Sequence, residues 1–426
     1  MKYEKMYNKT IEETLYHGVS DAGLNVYVLP KKGFSKKYAV YSVNFGSCDI
    51  SYTVDGKEIT DPLGIAHFLE HKLFEMPDGR NAFDLFANTG ASANAFTSNN
   101  MTAYLFSASE GFDESLDILL NYVNEPYFTD ENVEKEQGII AQEIKMYDDD
   151  PQWRLYNNVL GCLYKNNPIR DDIAGSVESI SHITKETLYN AYNAFYRPEN
   201  MVLFITGDVD MDKISELVEK NVKKKEPKNV VRKKYMEPEE INEKSIVKNM
   251  SVSKDNYILG FKDNEIGLKG EEYLLKNIEV ALVLKMLFSE FADLYNELYQ
   301  KGIINDTFSY ENLMHEDYSA VLMGGETDDV EGSVKAIIDG INKVKEKGFT
   351  KEEFDLAKKS MWGRQIRSYN SLEAVANSFC SNFFLGINAF DFVKVFEKIT
   401  LESVNDRLSK MFDNNYYSVS VVKPEN

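Results

Sequence analysis

DPLGIAHFLEHKLFE, residues 61–75, carries the marks of a helix. Asp61 suits a cap, Pro62 suits a first turn, and Leu63, Ile65, Phe68, Leu69, Leu73 and Phe74 furnish an apolar surface, which predicts a helix over 63–75. His67 and His71, two of only five histidines, sit four apart with Glu70 between them. A helix advances about 100° per residue, so His71 lies about 40° from His67 and Glu70 about 60° to the other side. All three share one face. Two imidazoles one turn apart supply half of a tetrahedral zinc shell, and a carboxylate beside them serves either as a ligand or as the base that deprotonates water. The spacing therefore points to metal-assisted hydrolysis; the plainer alternative is a buried helix whose histidines only hydrogen-bond.

Composition sets the frame. At 426 residues the chain is too long for one ordinary core, and 43% hydrophobic with 27% charged residues fits a globular protein. No apolar run reaches the eighteen or so residues that span a membrane, and the polar start MKYEKMYNKTIEETLYHG lacks a signal-peptide core, so a cytoplasmic location is expected. Lysine and arginine number 48 against 69 acids, and the net charge of −21 repels nucleic acid and anionic lipid, which excludes both as partners. Cys48, Cys162 and Cys380 are far apart with no C-x-x-C pair, which excludes a cysteine zinc knuckle and argues against a disulfide framework.

Along the chain, YAVYSVNFGSC (38–48) reads as a strand, residues 91–96 and 102–108 as two more, and 112–123, 130–147, 153–164 and 185–195 as helices. The long helix stops at DDDP, where Pro151 restricts the residue before it, and MVLFIT (201–206) is a short apolar strand closed by Gly207. The second half repeats the landmarks. Strand-like 257–261 and 318–323 alternate with helical 271–288 and 330–345; FTKEEFDLAKKSMWGRQIRSY (349–369) echoes FTDENVEKEQGIIAQEIKMY (128–147), and ITLESVNDRLSKMF (399–412) echoes ITKETLYNAYNAFY (183–196). The spacing of about 215 to 220 residues fits a duplicated domain, not a solenoid.

The expected fold is thus α+β: two similar domains, each a mainly antiparallel sheet packed with helices, facing each other across a cleft. Residues 1–225 form the metal-bearing domain, the charged, proline-containing run 226–250 a linker, and 251–426 the repeat. Laying KMLF (285–288) on HKLF (71–74) sets Lys285 opposite His71, Leu284 opposite Glu70 and Ala281 opposite His67, so no metal chemistry is expected in the second half.

A catalytic zinc normally has three protein ligands. His182 and His315 lie in turn-like contexts, SISHIT and NLMHED; Glu136 and Glu143, seven apart on one helix face, are the better candidates. Being about 10.5 Å apart along the axis, they cannot both take one ion.

The blocks GIAHFLEH, GASANAFTSNNMTAYLF, EKEQGIIAQEIKMYDDDP, DDIAGSVESISHIT and FYRPENMVLFITGDV, in this order, resemble the inverzincins, the pitrilysin or insulinase family of zinc peptidases, in the short two-domain branch with mitochondrial processing peptidase and its bacterial relatives. The resemblance covers nearly the whole chain. It implies a zinc-dependent endopeptidase with one Zn2+ per chain held by His67, His71 and Glu143, with Glu70 as general base and Glu136 as the acid supporting the ligands. His71 and Glu143 are separated by 71 residues, a few fewer than in longer family members, and Asp148 is the alternative ligand. Asn94 and Ala95, within ANAFT (93–97), match the edge strand on which the family lays an extended peptide. In the second half, active relatives carry an Arg and a Tyr that bind substrate; here Tyr299 stands where the Arg would be, and Tyr310 is the later aromatic and a catalytic candidate. The missing arginine implies a dimer, either with a metal-less sister subunit that supplies it or with a second copy. The competing reading is a catalytically weak, partner-dependent subunit that acts mainly in peptide binding and assembly.

Overall fold

The computed structural model describes residues 1–388 and 390–425, and its contacts divide the chain into two compact units. The first unit comprises Met1–Ile144, Asp172–Lys233 and Ile366–Phe384; the second comprises Lys145–Asp171, Lys234–Gln365 and the residues from Leu385 onwards. Among the helices are α1 (Ile65–Leu73), α2 (Asp130–Asp148), α3 (Pro151–Leu163), α4 (Gly270–Phe288), α5 (Lys351–Ser368) and α6 (Leu372–Phe383).

In the first unit β1 (Tyr3–Asn8), β2 (Glu13–Val19), β3 (Asn25–Pro30), β4 (Lys37–Val43), β7 (Ser92–Thr97), β8 (Thr102–Ala108) and β9 (Met201–Gly207) make one sheet, in the order β1-β2-β3-β9-β4-β8-β7. Three short strands, β5 (Ser51–Val54), β6 (Lys57–Thr60) and β10 (Val230–Arg232), pair separately. The large sheet is antiparallel except where β3 runs parallel to β9. Every residue of β9 is buried, which is why MVLFITG reads as an unbroken apolar run and not as an alternation.

The second unit carries β11 (Ser245–Met250), β12 (Asp255–Lys262), β13 (Ser309–Met314), β14 (Ser319–Thr327) and β15 (Tyr417–Pro424), ordered β11-β15-β12-β14-β13. Its parallel pair is β11 with β15. In chain order β3, β4, β7, β8 and β9 correspond to β11 to β15, with the same neighbours and the same parallel pair, so the fold is α+β with an internal duplication. Helix starts repeat too. Thr129 and Asn132 exchange hydrogen bonds of 2.9 and 3.1 Å ahead of α2, and Thr350 and Glu353 do the same at 2.6 and 3.3 Å ahead of α5.

Each unit takes one helix from the other half of the sequence. α3 begins where Asp150 accepts hydrogen bonds from the backbone N–H groups of Gln152 and Trp153, with Pro151 in the first turn. It buries Leu155, Val159, Leu160 and Leu163 and packs on β11, β12 and β15. Gly260 admits it: a Cβ there would lie 2.9 Å from both Leu163 and Val159 side chains. Reciprocally, α6 packs on β4 and β9, and the Phe379 ring lies 4.6 Å from those of Tyr27 on β3 and Phe204 on β9.

Two local expectations change. The helix expected over 63–75 spans Ile65–Leu73, because Gly64 at its start takes a left-handed φ of 89° and Asp61 is not its cap. Asp61 is instead buried and accepts a 2.7 Å hydrogen bond from the Tyr52 hydroxyl. The charged run 226–250, expected to be a linker, contains β10 and β11.

Candidate metal centre

The helix that carries the histidines is set by backbone contact at its start. At Gly64 a Cβ would lie 2.3 Å from the Ala174 carbonyl oxygen, and at Gly175, whose φ is 74°, one would lie 2.5 Å from that of Leu63. Only glycine permits both the positive φ and this approach. The Ser179 hydroxyl then donates to the Leu63 carbonyl at 2.9 Å, so segment 172–180 holds the entry to α1.

His67 and His71 project from the same face of α1, their ring centres 4.5 Å apart. α2 brings Glu143 to them: its carboxylate oxygens lie 3.8 Å from His67 Nε2 and 3.6 Å from His71 Nε2. Among the described residues these three form a group whose ligand atoms all fall within 4.8 Å of one another. Separations of 3.6 and 3.8 Å are too long for hydrogen bonds. They approach the edge of about 3.4 Å expected between ligands bound tetrahedrally to zinc at about 2.0 to 2.1 Å. His67 Nδ1 is also buried with no hydrogen-bond partner. Two imidazoles and a carboxylate, spaced around a common point with no hydrogen bonds between them, fit a zinc ion.

Burial pushes the His67 imidazole down to about 3, with the neighbouring His71 adding to it, so the ring is neutral in ordinary conditions. Burial also acts on His71, but the Glu136 hydrogen bond and the charges of Glu70, Glu136 and Glu143 outweigh it and raise the pKa. His71 Nδ1 donates to Glu136 at 3.1 Å, which leaves Nε2 facing Glu143. Glu136 is buried; burial alone would raise its pKa, but the bond from His71 and the nearby Lys72 ammonium lower it overall. Glu70, also buried, is raised by desolvation, with the Thr97 hydroxyl, donating at 2.6 Å, offsetting part of the shift.

The remaining sequence candidates sit elsewhere. Asn94 and Ala95 lie on β7, the outermost strand of its sheet, against which α1 packs; the Asn94 side-chain oxygen accepts from the Ala95 N–H at 2.9 Å. Tyr310 belongs to the second unit, on the outermost strand β13, with its ring 6.0 Å from that of Phe288. Tyr299, at the expected arginine position, is exposed and donates to Asp306 at 2.9 Å. Asp148, the alternative ligand, is paired with Arg154 at 3.1 Å. Two residues next to the site escape a reading of motifs. Thr97 gives no signal because its bond to Glu70 spans 27 positions; Lys72 is detectable as a lysine where the helical period, four after Phe68, calls for an apolar side chain.

Comparison with known proteins gives the family. The profile described as Insulinase (Peptidase family M16) matches residues 56–177, and that described as Peptidase M16 inactive domain matches residues 182–361. The chain is 42% identical over 420 residues, 97% of its own length and 98% of the relative's, to the "Uncharacterized zinc protease YmfH" of Bacillus subtilis (strain 168). It is 23% identical over 371 residues, 85% of the chain and 88% of the relative, to the "Uncharacterized zinc protease YmxG" of the same organism. Among solved structures, the "putative M16-like peptidase from Alicyclobacillus acidocaldarius" superposes with a TM-score of 0.92 at 32% identity, covering 100% of this chain and 99% of that one. A protease from Helicobacter pylori shares the fold with a TM-score of 0.83 at 20% identity, covering 99% of each chain. With near-complete coverage on both sides and identity of this order, the chain belongs to the insulinase family, peptidase family M16.

Proposed function

We propose that this chain is a zinc-dependent endopeptidase acting on peptides or unfolded segments, with one zinc ion held by His67, His71 and Glu143. One observation carries the reading: three ligand atoms from two helices converge within 4.8 Å, beside a buried glutamate. When bound, the ion supplies Lewis-acid chemistry and brings the pKa of a water towards neutrality. Glu70 accepts the proton from the attacking water and returns it to the leaving amine; desolvation makes its carboxylate a stronger base, and Thr97 fixes its orientation. Glu136 holds the His71 tautomer. The open side of β7, at Asn94 and Ala95, accepts an extended peptide as an added strand, so that main-chain hydrogen bonds supply affinity with little sequence demand. The same reading gives the Tyr310 phenol a hydrogen bond to substrate, tested by Tyr310→Phe.

Glu70→Gln should keep stoichiometric zinc and lose at least about 100-fold in kcat against a quenched peptide library, the range of a lost general base. Wild-type cleavage by that variant would remove Glu70 from the mechanism, whereas His71→Ala should abolish stoichiometric metal altogether. A second reading, a partner-dependent subunit, is favoured by one feature: Tyr299 occupies the arginine position and its hydroxyl is bound to Asp306. Peptide cleavage by the purified chain alone, and mixed with a metal-less sister chain, separates the two, and its mass in solution distinguishes a homodimer. Among the described residues Cys48, Cys162 and Cys380 form no disulfide, which suits the reducing cytoplasm.

A further inference from the structure

Lys72 is a charged side chain beside the metal centre with no part in the mechanism above. It follows His71 on α1 with no side-chain exposure, and its ammonium lies 2.8 Å from Glu75 and 3.4 Å from Glu136. Around it the helix buries Phe68, Leu69 and Leu73. Taking an ammonium out of water is unfavourable, and an apolar side chain of the same length would fill this space without that penalty. The charge is therefore better explained by what it holds than by packing.

Besides Glu75 it holds one oxygen of Glu136, whose other oxygen accepts from His71 Nδ1 at 3.1 Å. A line runs from the Lys72 ammonium through the Glu136 carboxylate to the imidazole whose Nε2 faces Glu143 at 3.6 Å. The duplication supplies an internal control. In the second unit the residue matching Lys72 is Met286, next to Lys285 at the position of His71, and it is buried. Counting from the shared helix starts at Thr129 and Thr350, Glu136 matches Ala357 and Glu143 matches Arg364. Where the ligands are absent, the lysine and its glutamate are absent together, and methionine and alanine fill the places.

We infer that Lys72 is a positioning residue of the metal centre: it anchors Glu136 so that His71 presents Nε2 to the ion. The inference rests on the proposed zinc site but not on peptide cleavage, and its test reads zinc affinity. Zinc-loaded full-length chain is titrated with a chelator for the wild type, Lys72→Met, Glu136→Gln and the double variant. Lys72→Met, which installs the side chain found at position 286, should weaken zinc binding about 10-fold, within the range for partners of metal-binding histidines. Because Lys72 acts through Glu136, it should add less than about 3-fold once Glu136→Gln is present, against the full 10-fold if the two were independent. Wild-type affinity in Lys72→Met, or the same factor in both backgrounds, overturns the inference while leaving the zinc site intact. A wild-type chain that binds no zinc refutes the proposed function first. Should Lys72→Met fail to fold, Lys72→Gln, which keeps hydrogen-bonding reach and drops the charge, runs the same cycle: a loss confined to the Glu136 background supports the inference, and an equal factor in both backgrounds overturns it.

Discussion

Asp61 shows how a single buried group ties this site region to pH. Burial raises its carboxyl from 3.8 to about 6, offset only in part by the Tyr52 hydrogen bond. Between these values the folded chain holds a proton that the unfolded chain has released, so the folded state binds more protons there and stability falls as pH rises. The contribution is full below about pH 4 and lost above about pH 6. With about 1.4 kcal/mol per pKa unit, Asp61→Asn should gain on the order of 2 kcal/mol over wild type between pH 4 and pH 7.5. Urea unfolding of metal-free protein at the two pH values measures this, and a constant difference would contradict it. At the same scale, His67 and Glu70 are legible from their spacing alone, since an i, i+3, i+4 set on a helix needs no tertiary information. Thr97 and the Asp61 partner Tyr52 are not, because each bond joins residues whose separation carries no periodic signal.

Among the elements, α1 depends on the residue at its start. Gly64 has both a left-handed φ of 89° and a carbonyl oxygen 2.3 Å from where a Cβ would sit, whereas Gly79, at φ 81°, has nothing within 4 Å. The pair separates strain from clash. Gly79→Ala should cost about 1 kcal/mol, the left-handed penalty for an L residue. Gly64→Ala should cost at least about 3 kcal/mol, because either α1 or segment 172–180 must move, and zinc content should drop with it. Denaturant unfolding and metal analysis of the two variants check both figures. The helix boundary differs from its sequence expectation for the same reason: Asp61 and Pro62 satisfy every local rule for a start, and the approach of Ala174 overrides them. The strand pair β1 and β2 is not legible in the sequence, since β1 mixes exposed and half-buried residues without strict alternation and buries none of them fully.

For the molecule as a whole, the exchange of α3 and α6 makes the halves of the sequence interdependent. Residues 1–250 expressed alone would leave uncovered the part of the β4 and β9 face on which Leu372, Val375, Ala376 and Phe379 pack. At roughly 1.5 to 3 kcal/mol for each large apolar side chain buried, that loss is comparable with the whole stability of a domain. The fragment should therefore aggregate or bind a hydrophobic dye, and co-expression with residues 251–426 should restore a folded complex, as judged by circular dichroism and size-exclusion chromatography. A monomeric, cooperatively melting fragment would show that α6 is dispensable. The amino-acid sequence by itself determined the duplication, the α+β class, the face that bears His67, Glu70 and His71, and the choice of Glu136 and Glu143 as acids on one side of α2, because periodicity and side-chain chemistry are written locally. Tertiary structure alone decided that Glu143 faces both histidines while Glu136 takes the His71 Nδ1, that Lys72 is buried between two carboxylates, and which sheet each exchanged helix covers. Those outcomes depend on contacts between residues far apart in the chain, where the free energy of packing, and not the pattern of neighbours, selects among arrangements that local rules leave equal.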